Sequence, residues 1–234
     1  MPFDDPAALD LVSLFRDARM FESRASWAAA GFEVLNRQNN GKIMVARHPS
    51  ARGLLFKKYV DEISQDDQRR NYERRLEGAG RLRSYVANHG LSHVVVPRKW
   101  IVELPRAVSR KEPSHVLVVE QIDLLDEEQT RAAYQQIELP VLRDLCTVLF
   151  HFRGMDSNGK NLPFTVDGRI ALVDTEHWDR STRKDYLHQV GEYLSRRSRA
   201  AAEAMLDQLE DGDDPTLDVG DFDDEEDTSS SSSS

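Results

Sequence analysis

Cysteine is almost missing from this chain: Cys146 is the only one in 234 residues. That excludes an internal disulfide framework, and Cys146 sits in an apolar helical pattern where it reads as a small buried hydrophobe. Long apolar runs are missing as well. None approaches the roughly 20 residues of a bilayer span, so no membrane partner is expected. The residues after Met1 include Asp4, Asp5 and Asp10 and no basic stretch. No signal peptide is expected from them, and a cytoplasmic location is. Basic residues are missing from Asp207 onward, where twelve of the 41 acids lie. The net charge of −10 therefore belongs to a tail. The rest of the chain has 29 acids against 31 bases and is close to neutral. No nucleic-acid partner is expected from that balance. The arginines at 69, 70, 74, 75, 81 and 83 form a basic face, but without the interleaved aromatics on which bases stack.

What is present suits a soluble α+β protein, either one compact domain or two small lobes. The stretch from Asp156 to Asp174 organises the rest. It reads as a polar loop (Asp156 to Lys160), a strand (Asn161 to Thr165), an Asp167–Gly168 turn and a second strand (Arg169 to Val173). An Asp-Gly pair between apolar runs predicts a hairpin. Such a hairpin brings Asp156, Asn161 and Asp174 to one end. Hard oxygen donors of this kind suit Mg²⁺, which binds one or two carboxylates and leaves room for phosphates.

These residues resemble the catalytic loop of protein kinases and aminoglycoside-phosphotransferase-like kinases. That loop runs D-x-x-x-x-N, then a hairpin, then a metal-binding Asp. The resemblance implies that Asp156 is the catalytic base and that Asn161 and Asp174 are metal ligands. Gly154 and Met155 stand where protein kinases have His-Arg, and Thr175 and Glu176 stand where they have Phe-Gly.

The order of elements resembles the same family. Residues 6 to 21 read as a helix, with Leu9, Val12 and Phe15 in helical period. Strands are expected over Phe32 to Leu35, Ile43 to Ala46 and Leu54 to Val60, joined by turns at Asn39–Gly41 and Pro49–Gly53. Only Gly41 represents the family's glycine-rich phosphate loop. The third strand, LLFKKYV, resembles the strand that carries the phosphate-binding lysine. Lys57 is the preferred residue, although alternation alone leaves Lys58 open. A polar helix over 65 to 88, capped by Ser64 or Asp66, stands where the family's helix offers a Glu to that lysine. Glu77 is preferred there and Glu73 is the alternative; on such a face both also read as solvated salt-bridge partners. Val94 to Pro97 and Trp100 to Leu104 read as extended, Pro105 to Ser114 as a loop. His115 to Ile122 reads as a buried strand. It resembles the family's fifth strand and hinge, with Val119 guarding the pocket and Glu120 and Ile122 offering a carbonyl and an amide to adenine.

Helices are expected over Glu127 to Gln136 and Pro140 to Phe152, the second apolar on one side. His151 on that helix reads as a core histidine. A further helix is expected from Ser181, with Tyr186, Val190 and Leu194 on one face. The acidic tail and its six terminal serines lack the apolar content for a core and read as disordered.

The resemblance thus implies a two-lobed protein-kinase-like fold. It divides into an N-terminal helical extension (1–30), an antiparallel N-lobe with one helix (31–122), a reduced, mainly helical C-lobe (123–209) and the tail (210–234). It implies an ATP-dependent kinase, with ATP and Mg²⁺, acting on a hydroxyl acceptor that is a protein or a small molecule. The alternative is a pseudokinase that binds a nucleotide or a protein without turnover.

Overall fold

The computed structural model describes residues 11–14, 23–35, 43–59, 64–103, 115–178, 186–187 and 189–212. The Asn39–Gly41 turn, the loop over 105–114, the stretch from Ser181 to Asp185 and the tail from 213 lie outside these residues, as does most of the helix expected over 6–21. Of that helix, α1 (Leu11–Leu14) is described.

The protein is α+β, with a five-stranded antiparallel sheet. A short helix, α2 (Arg24–Ala29), capped by Ser23, precedes it. Three strands, β1 (Glu33–Val34), β2 (Ile43–Arg47) and β3 (Leu54–Tyr59), form the expected meander. Gly53 makes the turn into β3 at φ +82°, a conformation natural to glycine. The sheet is completed by β6 (His115–Glu120) beside β3 and β5 (Lys99–Glu103) at the far edge, in the order β1-β2-β3-β6-β5.

The pleat of the sheet sorts its side chains to two faces. Phe56, Val116 and Val118 pack with Trp27 and Phe32 beneath α2. Tyr59, Leu117 and Val119 face the long helix α3 (Gln65–Asn88) and enclose its Tyr72. The Tyr72 hydroxyl accepts from Tyr59 N–H at 3.2 Å. Ser64 caps α3 by accepting from Asp67 N–H at 3.1 Å.

The largest core cluster lies between the second half of α3 and the helices α5 (Leu139–His151) and α6 (Arg196–Glu210). It also takes in Tyr134 of α4 (Glu127–Gln135), a helix that opens with a full capping box at Asp126 and Gln129. The Asp-Gly hairpin forms, with Val173 N donating to Asn161 O, Ala171 N to Pro163 O and Thr165 N to Arg169 O. Gly168 occupies its turn at φ +85°. The hairpin's second strand, β7 (Ile170–Ala171), also pairs in parallel with β4 (Val94–Val95).

One expected helix is placed differently. Tyr186, Val190 and Leu194 are buried together, as their spacing predicts, but the helix begins only at Arg196. A single tight turn over Val190–Glu192 precedes it. Ser195 caps the helix by accepting from Ser198 N–H at 3.1 Å. A segment laid against a core can bury every third or fourth residue without being helical.

Candidate functional site

The candidate site lies where the hairpin end, the sheet and α3 meet. Helix α5 ends at His151, and Met155, buried, turns the chain into the polar loop. Asp156 Oδ1 accepts from Asn158 N–H at 3.3 Å, and Asn161 Nδ2 donates to Asp156 Oδ2 at 3.0 Å. The loop is so tight at Gly159 that a methyl group there would stand 2.0 Å from the Tyr193 ring. Two groups hold the hairpin behind the loop. The Tyr134 hydroxyl, fully buried, donates to Leu162 O at 2.8 Å, and its ring meets Phe164 edge-on.

Asp174 leaves the second strand one residue after the Val173–Asn161 backbone bond, so it emerges beside the Asp156–Asn161 pair. Its Oδ1 accepts from Arg75 Nη1 at 3.0 Å. The other terminal nitrogen of Arg75 donates to Glu176. Arg75 is 8% exposed, and its Nε is buried without a hydrogen-bond partner. Burial works against the Arg75 charge, but Asp174, Tyr59 and Glu176 outweigh it and hold the guanidinium above its ordinary value.

Two lysines reach the same place from the sheet. Lys57 pairs across the sheet with Leu117, and Lys99 with Val119. Both therefore share the face that meets α3, whereas Lys58 alternates to the other face. Lys99 is 5% exposed and donates to Thr175 Oγ1 at 2.6 Å and to Val173 O at 3.2 Å. Burial, with Lys57 and Arg75 nearby, pushes its pKa well down. Burial and Arg75 lower Lys57 to about 8, against the attraction of Asp174.

Thr175, fully buried, joins these parts, since its hydroxyl also donates to Arg75 O at 2.7 Å. The approach of α3 to this strand exit depends on Gly78. A methyl group there would stand 2.1 Å from Thr175 O and 2.5 Å from the Trp178 ring.

The helix glutamates are not part of this cluster. Glu77 is 51% exposed and pairs with Arg81 at 3.2 Å, and Glu73 pairs with Arg69 at 2.7 Å. On α3 the residue facing the sheet lysines is Arg75, a cation where the family resemblance implied an anion. Its signal was its place in the apolar stripe Tyr72, Arg75, Ala79, Leu82, all buried. An arginine on the buried stripe of a helix needs acidic partners. Lys99, beside Arg98 at the start of a strand, carried no such signal.

One residue beyond Val119, the Glu120 carboxylate accepts from Arg98 Nη2 at 3.2 Å and from Arg98 N–H at 3.0 Å. Glu120 N–H donates to Arg98 O at 2.9 Å, and Gln121 N–H to Gly53 O at 2.8 Å. Ile122 follows in the crossing to the hairpin, where Leu125 N–H donates to Phe164 O at 2.8 Å. A groove of about 690 Å³ runs along α3 past Val94, Val96, Arg98 and Glu120; Lys57 and Asp174 do not line it. His151 is exposed at the end of α5 and stacks on Tyr85 at 4.2 Å between ring centres, away from the cluster of Arg75 and Asp174.

Among the described residues no group of three or more His, Cys, Asp or Glu could hold a metal ion. A cation here therefore needs Asn161 as a donor. The amide suits this: with Nδ2 turned to Asp156, its Oδ1 points away from that carboxylate. Asp174 takes no hydrogen bond on Oδ2 among the described residues. One carboxylate oxygen and one amide oxygen fit a Mg²⁺ ion that keeps water and phosphate ligands.

Among the described residues no helix is long and apolar enough to cross a membrane. No family model matches the chain, and no curated protein sequence matches it.

Proposed function

We propose that this protein is an ATP-dependent phosphotransferase that moves the γ-phosphate of Mg·ATP to a hydroxyl group on a protein or a small molecule. The reading takes residues 31–122 as a kinase-like N-lobe and 123–209 as a reduced C-lobe. The observation that carries it is one meeting point: the Asp156–Asn161 pair and Asp174 at one hairpin end, with Lys57 and Lys99 arriving from the sheet.

Phosphoryl transfer demands positioning and charge neutralisation more than covalent chemistry. Lys57 would bind phosphate oxygens of the nucleotide. Asn161 and Asp174 would hold Mg²⁺, which when bound neutralises charge on those oxygens. Asp156 would accept the proton of the acceptor hydroxyl as its oxygen bonds to the γ-phosphorus and the bond to the bridging oxygen of ADP breaks. The Glu120 carbonyl and the Ile122 amide would meet the adenine edge. Glu77, exposed and paired with Arg81, has no role in this scheme.

The test is ADP formation and self-phosphorylation with Mg·ATP, comparing the wild type with Asp156→Asn. Turnover should fall by about 10²- to 10⁴-fold, the usual worth of a positioned acid–base group, with nucleotide binding retained. A second reading is a binding module without turnover. The Arg75–Asp174 ion pair favours it, because Arg75 competes for a carboxylate that catalysis needs. Wild-type binding without turnover would select that reading. Absence of binding at millimolar nucleotide would remove the phosphotransferase and leave only a module that binds protein.

A further inference from the structure

We infer that Lys57, Arg75 and Lys99 form a polyphosphate-binding site that holds the phosphates of a nucleotide without requiring a divalent cation. The inference rests on the phosphotransferase reading of this site and deepens it. It says which groups recognise the phosphates and what they do not need.

The argument is one of charge. Three cations, Lys57, Arg75 and Lys99, meet two carboxylates, Asp174 and Glu176. With both lysines protonated these five groups carry one unbalanced positive charge; burial lowers the pKa of both lysines, and a bound polyphosphate favours their charged forms. The kinase arrangement of a lysine, a helix glutamate and a metal-binding aspartate is instead negative by one until a divalent ion joins it. Exchanging the glutamate for Arg75 reverses a charge, which amounts to the charge of that ion. Counting Lys99 and Glu176 together leaves the comparison unchanged.

The donors are also available. Arg75 has its Nε–H buried and unpaired. A buried N–H without a partner is costly unless a ligand satisfies it. The two terminal nitrogens of Arg75 already donate to Asp174 and Glu176, so its Nε–H is the donor left for a phosphate oxygen. Lys57 is only partly covered, and among the described residues no hydrogen bond engages its ammonium group. Lys99 is held rigidly by Val173 O and Thr175, so its remaining donor is fixed in direction. Neighbouring strands lie about 4.8 Å apart, so the two lysines, on strands separated only by β6, can bracket one polyphosphate.

The test is calorimetric titration of the full chain with inorganic tripolyphosphate and with ATP, each in EDTA and in Mg²⁺. Metal-free tripolyphosphate should bind, and metal-free ATP should bind within about tenfold of Mg·ATP. Lys57→Met and Arg75→Met should each weaken metal-free binding by roughly tenfold or more, the cost of one lost charge-assisted contact. Affinity should fall as salt rises. Binding seen only with Mg²⁺ overturns this inference and leaves the phosphotransferase reading standing. Metal-free binding that neither variant weakens overturns it too, since the ligand then sits elsewhere. No binding of either ligand in either buffer removes the phosphotransferase reading itself. A matched unfolding curve for each variant keeps a loss of fold from being mistaken for a loss of affinity.

Discussion

Gly78→Ala lowers the stability of the protein and cuts nucleotide affinity, while Gly80→Ala, one residue pair further along the same helix, raises stability. The two substitutions add the same methyl group to α3 and should have opposite signs. At Gly78 the methyl stands 2.1 Å from Thr175 O, a backbone atom that cannot swing aside. The helix and the strand exit must separate. Overfilling of this kind costs about 1–3 kcal/mol, or roughly 3–10 °C in melting temperature for a chain of this size. At Gly80 the methyl meets nothing within 4 Å. There only helix propensity acts, and alanine gains about 1 kcal/mol over glycine. Separation at Gly78 also pulls Arg75 from Asp174 and Thr175 from Arg75 O. Affinity for Mg·ATP should therefore drop by roughly tenfold or more in Gly78→Ala and stay unchanged in Gly80→Ala. Thermal melts and nucleotide titrations of both variants check this.

Asp174→Ala destabilises the protein more than Arg75→Met, although the two side chains form one ion pair. The surroundings decide the order. Removing Asp174 leaves three cations around Glu176 alone, with Arg75 buried and half-satisfied. Breaking a buried pair from one side costs about 3–5 kcal/mol. Asp174 is 30% exposed, which reduces the figure to about 2–3 kcal/mol. Removing Arg75 instead leaves two carboxylates facing two lysines, a balanced set, and places an apolar side chain beside Tyr72 and Ala79. The cost should be about 1 kcal/mol or less. Urea unfolding gives both values, and the reverse order would mean that the lysines do not share this field.

Much of this architecture is legible in the residues. Asp167–Gly168 between apolar runs specifies the hairpin. The alternation in β3 and the short apolar run of β6 specify strands, and Ser64 with the run to Asn88 specifies α3. These signals are local, and each agrees with its tertiary setting. The site is less legible because its chemistry comes from pairs far apart in the chain. Arg75 is one arginine among six in its helix, and only its position on the buried stripe separates it from Arg74 or Arg81. The glutamates that sequence order favours, Glu73 and Glu77, are satisfied by arginines four residues away along the same helix. Both stand on the solvent side of α3, where each pair adds only a little stability. The choice between Lys57 and Lys58 needs the direction of the pleat, which β3 shows only once it is paired. Tyr186, Val190 and Leu194 illustrate the converse. Their helical spacing reports burial correctly and conformation wrongly, because the core is lined there by a loop.

An acyl phosphate of ATP, which delivers its acyl group to amines beside the γ-phosphate, tests the central claim most directly. The protein is labelled with it, digested and mapped by mass spectrometry. With a pKa of about 8, Lys57 is a neutral, nucleophilic amine in a large share of molecules where an ordinary lysine is not. Lys57 should therefore carry the label, more of it as pH rises through about 8, and excess ATP should block it. Label spread over surface lysines, or label on Lys57 that ATP does not displace, would contradict a nucleotide site at the junction of β3, α3 and the hairpin.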